Sequence, residues 1–277
     1  MCIRDRLSFN PKKQLSQFLA EDIGKGDITS QLLSKKKIVV KIISRENAIV
    51  AGTKYAKEIF AIKGCKAKII TKDGTKIKPN QDIIEIIGNA DKILTCERTA
   101  LNILTRMSGI ATQTNELVKK IPKKTKLYAT RKTAPGLRYF DKEAVKIGGG
   151  ERHRLRLDEM VMIKDNHIAA EQSLLSLINK TKKKYKKFEV EVENTRDAVL
   201  AAEKGATIIM LDNFSPNQII KTIKVLKNKK LRSNVLLEAS GGINSKNISK
   251  YGKTGVDIIS IGSITNSVKG IDFSLEI

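Results

Sequence analysis

The chain has 277 residues, 40% of them hydrophobic and 30% charged. That balance excludes a disordered polymer and leaves room for one large or two modest domains, and no apolar run approaches the ~20 residues of a membrane span. Lys and Arg number 53 against 29 Asp and Glu, a formal charge of +24, which would suit nucleic acid, a membrane surface or small acidic molecules. Aromatics at 4% and the lack of a stacking motif disfavour nucleic acid. Much of the excess is Lys in runs at 34–37 and 182–187, in a chain rich in Ile, Lys and Asn.

The first 13 residues lack the apolar stretch and cleavage site of a secretory signal, so a cytoplasmic location is expected. Residues 1–6 match nothing that follows. Cys2, Cys65 and Cys96 show no paired spacing and read as reduced thiols rather than a disulfide or zinc set. Residues 36–46 and 66–72 are β-branched and predict strands, with a helix between them and a second strand pair bracketing the Asp73-Gly74 turn. Ile93, Leu94, Leu101, Leu104 and Leu117 then recur at helical spacing over 90–120, marking a domain junction before Pro122.

Beyond that junction six short runs, KLYAT, EMVMIK, FEVEVE, TIIMLD, VLLEAS and VDIISIG, alternate with helical stretches, as in βαβ units around a parallel sheet. They end at Thr130, Lys164, Glu193, Asp212, Ser240 and Gly262. Six strands suit an incomplete β/α barrel or an open doubly wound sheet. Functional residues at every strand end favour the barrel, whose site lies on the rim those ends share.

Residues 128–167 carry the densest chemistry. TRKTAPGLR and KIGGGERHRLRLDEMVMIKDNH set Arg131, Lys132, Arg138, Lys146, Arg152, Arg154, Arg156 and Lys164 among glycines and both histidines of the chain. Arg suits bidentate carboxylate or phosphate recognition, Lys supplies a compact charge, and the KIGGGE glycines would let backbone approach a ligand. In FEVEVEN, strand alternation puts Glu189, Glu191 and Glu193 on one face. Buried, they need cationic or metal partners. Glu191 and Asp212, on adjacent strands, could hold Mg²⁺ or ribose hydroxyls. LEASGGIN places Ser240, Gly241 and Gly242 before a helix expected near Asn244, and IGSITNS repeats the design at Gly262 and Ser263, two turns suited to phosphate.

At these residues the chain closely resembles quinolinate phosphoribosyltransferases. EDIGKGDITS, ERTALNILTRMSGIAT, TRKTAPGLR, GGGERHRLRLDEMVMIKDNHI, EVEVEN, IIMLDNF, LEASGGIN and GVDIISIGSIT occur in family order from about residue 15 onward. The resemblance implies an α/β fold, with an N-terminal α/β sandwich over 1–108, an incomplete TIM-like barrel over 109–265, and a tail at 266–277 packing back on the sandwich. It also implies a homodimer whose neighbouring subunit completes each site; hexamers stay open. Arg98 would cross that interface to a quinolinate carboxylate. Thr130, Arg131, Lys132, His153, Arg154 and Lys164 would line the pyridine dicarboxylate, Glu191 and Asp212 would hold ribose and Mg²⁺, and Ser240, Gly241, Gly242, Ile261, Gly262 and Ser263 would cradle the 5′-phosphate. Lys132, Lys164, Glu191 and Asp212 would act in the chemistry, which joins quinolinate to phosphoribosyl pyrophosphate and releases pyrophosphate and CO₂ without an organic cofactor. Where many members read DTRKT this chain has Ala129, so an acid there is absent or supplied elsewhere. A molybdenum-transport-associated paralogue would keep the phosphate turns, but the complete TRKT, HR and KDNH set disfavours it.

Overall fold

The computed structural model describes residues 9–277; Cys2 and the unmatched residues 1–6 lie outside the described residues. The chain forms two compact units, the first running to Thr112 and resuming over Val268–Ile277, the second spanning Gln113–Ser267.

The first unit contains α1 (Pro11–Ile23), β1 (Lys37–Ser44), β2 (Ala48–Ile49), α2 (Thr53–Ile62), β3 (Lys66–Ile69), β4 (Lys76–Ile77), β5 (Asp82–Asn89) and most of α3 (Ala90–Val118), inside which the boundary falls. Asn10 caps α1 by accepting the Lys13 N–H, and Pro11 opens the helix where no backbone donor is needed. The second unit contains β6 (Lys126–Ala129), α4 (Arg138–Ile147), β7 (Val161–Ile163), α5 (Asp165–Glu171), α6 (Leu174–Lys182), β8 (Phe188–Val192), α7 (Thr195–Glu203), β9 (Ile208–Asp212), α8 (Pro216–Asn228), β10 (Leu236–Ser240), α9 (Ile248–Gly252), β11 (Ile258–Ile261) and α10 (Ser263–Asn266). The last strand, β12 (Phe273–Glu276), belongs to the first unit.

In the first unit an antiparallel sheet has the order β12-β1-β5-β3, and β2 pairs separately with β4. Val40 and Ile42 of β1, Ile84 and Ile86 of β5, and Ile59 and Phe60 of α2 are buried in its core. The strands flanking Asp73 and Gly74 are not paired with each other, contrary to the expected hairpin. Asp73 is engaged elsewhere: its Oδ1 accepts the Thr53 N–H at 3.0 Å and the Thr53 hydroxyl at 2.8 Å, while the Gly74 N–H reaches the Val50 carbonyl at 2.8 Å. The turn is real, but its carboxylate serves the start of α2, so the chain on either side diverges to different sheets.

The second unit's six strands are all parallel, in the order β6-β11-β10-β9-β8-β7. Every strand from β7 to β11 lies beside its successor, and β11 returns to β6, whereas a doubly wound sheet would reverse direction midway. This is a β/α barrel opened at one seam, between β6 and β7. The segment after α4 partly covers that seam. The Glu151 N–H donates to the Leu127 carbonyl at 2.8 Å and the Ala129 N–H to the Glu151 carbonyl at 3.0 Å, a lone parallel bridge against β6.

The KIGGGE glycines serve this crossing rather than a ligand. Gly149 has φ +95°, and a Cβ on Gly150 would come within 2.8 Å of Val145 Cγ1 and 3.1 Å of the Leu127 carbonyl oxygen. Two further expectations need correction. The helix after LEASGGIN starts at Ile248 rather than near Asn244, because Asn244 and Asn247 close turns on backbone N–H and carbonyl groups first. Glu193 lies past the end of β8 and is exposed, so the acidic face of that strand consists of Glu189 and Glu191 alone.

Candidate active site

Barrel strands are buried on both faces, so polar residues within them are costly unless they point into a shared cavity. β8 shows the pattern: all five of its residues are buried, including Glu189 and Glu191. At the strand ends lies a cavity of about 410 Å³ lined by Thr130, Arg131, Lys132, His153, Arg154, Lys164, Glu191, Asp212 and Ser240 of the expected set, together with Ala129, Met162, Met210, Glu238 and Ser260. Gly241, Gly242, Ile261, Gly262 and Ser263 do not line it directly. Arg98 belongs to the other unit, exposed on α3.

Four cations face the cavity. Arg131 Nε is buried without a hydrogen-bond partner. Arg154 is anchored through Nη1 to the Met160 carbonyl at 2.9 Å and through Nη2 to Met162 Sδ at 3.3 Å. Burial, then the nearby Arg131 charge, holds the Arg154 guanidinium below its ordinary value; two guanidiniums sharing a poorly solvated wall favour an anion between them. Lys164 bonds through Nζ to Glu191, and Lys132 is exposed at the rim. Of the other cations named in residues 128–167, the three arginines are held by protein groups. Arg138 ties the Thr133 hydroxyl to the Leu155 carbonyl, Arg152 pairs with Glu143, Arg156 pairs with Asp158, and Lys146 is exposed.

The acidic groups divide in the same way. Asp212, at the end of β9, accepts from Asn213 Nδ2 at 2.7 Å. Burial raises its pKa; Lys164 opposes that shift and Glu193 adds to it. Glu189 and Glu238 are fully buried with no hydrogen-bond partner for any carboxylate oxygen. They approach His153 Nε2 at 3.3 and 3.5 Å. The three groups have the spacing of a metal cluster, but Nδ1 of His153 accepts the Arg154 backbone N–H at 2.7 Å. With its lone pair engaged there, the ring carries its proton on Nε2, which therefore points a donor at the carboxylates and is unavailable to a metal. Burial pulls the His153 pKa down, while Glu189 and Glu238 outweigh it and draw it up to about 9, so the Nε2 proton is held against the two carboxylates. Both ring nitrogens thus address protein groups, and His153 forms the wall behind Arg154.

The glycine turns sit beside Asp212. Gly241 has φ +91°, and a Cβ there would fall 2.2 Å from Asn213 Oδ1 and 2.8 Å from the Asn213 backbone nitrogen. Asn213 itself is left-handed at φ +56°, and its N–H reaches the Ser240 carbonyl at 2.9 Å. Gly262 packs against Lys132 and Thr130; a Cβ there would lie 3.0 Å from Lys132 Cδ, so that flexible side chain would have to shift slightly. Sequence reasoning missed Glu238, Asn213 and the thioether wall of Met162 and Met210. Glu238 had a signal, an acid inside the apolar run VLLEAS.

The quinolinate phosphoribosyl transferase N-terminal domain model matches residues 27–108, and its C-terminal domain model matches residues 110–276. The chain belongs to that family. Among curated relatives of the family, the probable nicotinate-nucleotide pyrophosphorylase (carboxylating) of Methanothermobacter thermautotrophicus is 42% identical over 274 residues, covering 95% of this chain and 97% of its own. The Dictyostelium discoideum nicotinate-nucleotide pyrophosphorylase (carboxylating) is 36% identical, covering 97% and 96%. The solved nicotinate-nucleotide pyrophosphorylase of Francisella tularensis superposes with a TM-score of 0.89 at 40% identity, covering 96% of this chain and 95% of its own. Family membership accounts for the cations and acids meeting at the end of one barrel.

Proposed function

We propose that this cavity transfers phosphoribosyl from phosphoribosyl pyrophosphate to quinolinate with decarboxylation, giving nicotinate mononucleotide, pyrophosphate and CO₂ in NAD biosynthesis. The observation that carries the reading is the unpartnered Arg131 Nε beside Arg154, on a wall facing the acids Glu191 and Asp212. A dicarboxylate matches the first side and a sugar developing positive charge matches the second.

Arg131 and Arg154 grip the two carboxylates and turn the ring nitrogen toward the ribose. Lys164, already paired with Glu191, places a cation where the two substrates meet. As pyrophosphate leaves, Glu191 and Asp212 stabilise the cationic sugar, Lys132 takes up leaving-group charge, and Ser240 with the Gly241, Gly242 and Gly262–Ser263 turns receives the 5′-phosphate through backbone N–H groups. After attack, the quaternised ring nitrogen stabilises the carbanion left by CO₂ until that carbon takes up a proton from solvent, which completes nicotinate mononucleotide. The Met162 and Met210 side chains give the cavity its apolar lining, against which an aromatic ring can pack.

A magnesium ion fits Asp212 and Glu191, since this cation commonly takes one or two protein carboxylates and completes its shell with water and substrate oxygens. It would supply charge neutralisation for the departing pyrophosphate. The active species is a cytoplasmic homodimer in which Arg98 of one copy serves the cavity of the other.

Incubation with quinolinate, phosphoribosyl pyrophosphate and Mg²⁺ should yield nicotinate mononucleotide, while nicotinate in place of quinolinate should not. Product from nicotinate alone would refute the dicarboxylate reading. Mixing an Arg98→Ala chain with an Arg131→Ala chain should restore part of the activity, because one interface then regains an intact site. Folded heterodimers that stay inactive would remove the shared site.

A further inference from the structure

Lys142, on α4, is fully buried, yet it is absent from the cavity lining. Its ammonium is committed to two backbone carbonyls, those of Arg152 and, at 2.6 Å, Arg154. These carbonyls flank His153, whose φ of +53° lies in the left-handed region that only a few per cent of non-glycine residues adopt, Asn, Asp and His more often than the rest. The same turn is held from the barrel interior by the contacts of the His153 ring with Glu189, Glu238 and the Arg154 N–H. A buried ammonium therefore fixes from outside the backbone kink that the ring fixes from inside.

We propose that Lys142 is a positioning residue for the aromatic dicarboxylate: by clamping the carbonyls on both sides of His153 it keeps that residue left-handed and so aims the Arg154 guanidinium into the cavity. The inference rests on the quinolinate reading above and adds to it a residue that never touches substrate. Its reach is selective, because the Lys142 carbonyls lie on the seam turn, whereas the phosphate turns follow β10 and β11. Loss of the clamp frees the carrier of Arg154 and leaves the sugar-phosphate side intact.

The charged groups around Lys142 set when the clamp is charged. Arg138 bonds the next carbonyl, Leu155, at 3.2 Å; Glu159 accepts the Leu155 N–H; Arg131 and Arg154 lie on the cavity side; and the Glu143–Arg152 pair sits beside it. Burial first, then Arg138, lowers the Lys142 pKa to about 8, with Glu159 opposing and Arg131 and Arg154 reinforcing the shift. Below that pH a cation holds the two carbonyls; above it a neutral amine holds them more weakly.

The test is steady-state kinetics of Lys142→Met and Lys142→Arg beside the wild type, with each substrate varied in turn from about pH 6.5 to about pH 9.5. In Lys142→Met the quinolinate KM should rise about tenfold or more while the phosphoribosyl pyrophosphate KM stays within about twofold. The wild type should lose quinolinate kcat/KM above pH 8, selectively over the other substrate, and Lys142→Arg, which stays charged, should not. Equal rises in both KM values, an unchanged quinolinate KM in folded Lys142→Met, or a wild-type quinolinate KM that is flat across the alkaline range would each overturn the proposal. If neither variant folds, a wild-type quinolinate KM that fails to rise across the alkaline range still overturns the proposal. A wild type that turns over no quinolinate at any pH would instead remove the underlying reading.

Discussion

The two sides of the cavity are built by different means. Along the seam, residues 131–164 have almost no ladder to hold them: β7 is three residues long, and a single bridge joins Glu151 to β6. Side chains take over, with Lys142, Arg138 and Arg154 each binding a backbone carbonyl of the turn and Glu159 accepting a backbone N–H. On the far side, β9, β10 and β11 are locked in register, and the turns that follow them at Asn213, Gly241 and Gly262 are shaped by the backbone rather than by side chains. A carboxylate wants a cation aimed along its plane, which a side chain provides; a phosphate accepts from several directions, which a bent backbone satisfies.

If that division holds, the largest losses come from the seam. Arg131→Ala or Lys164→Ala should lower kcat/KM by at least ~100-fold, as expected when a charge-assisted contact to a reacting anion disappears; near-normal turnover in either would sink the assignment. Asp212→Asn stands on the border between the two sides and should cost about 10- to 100-fold in kcat. Because burial raises the Asp212 pKa above the ordinary 3.8, the carboxylate protonates early as pH falls. Wild-type kcat should therefore decline through a window above that value, and the Asn variant should lose this acid limb. An acid limb of the same shape in Asp212→Asn would assign it to another group.

The smallest effects should come from the glycine turns, and they should differ from each other. At Gly241 a methyl group meets the backbone of Asn213 at a positive φ, so Gly241→Ala should raise the phosphoribosyl pyrophosphate KM about tenfold and destabilise the fold by ~1–3 kcal/mol. At Gly262 φ is −73° and the nearest atom is the flexible Lys132 Cδ, so Gly262→Ala should change KM only about two- to threefold. Thermal melts with KM values for both substrates read the contrast directly, and a reversed order would break the comparison.

The sequence displayed the far side more fully than the seam. Asp212, Ser240 and the glycines stand at the ends of β-branched runs, so periodicity alone located them at the rim. The seam is aperiodic, so residue pattern alone could list its cations but not sort them: only the family resemblance separated Arg154, which faces the cavity, from Arg152 and Arg156, which pair with Glu143 and Asp158. Lys142 was hidden for a related reason, since its partners are carbonyls, and carbonyls carry no residue-type signal. At Asp73 the local turn chemistry was legible while the pairing of the flanking strands was not, because the Thr53 contact that redirects them is 20 residues distant in the chain.

One feature bears on how the molecule is made. β12 pairs with β1 from Lys41 opposite Glu276 to Ser44 opposite Phe273, yet all of Gln113–Ser267 is translated between the two strands. On the ribosome, β1 therefore waits as an open edge while the barrel emerges, since domains fold in order of synthesis. That edge already alternates exposed Lys37, Val39 and Lys41 with buried Val40 and Ile42, and its lysines discourage a stray strand from pairing there first. Closure of the small sheet is thus a late event, and an interrupted translation product ending before residue 273 would carry an unprotected strand.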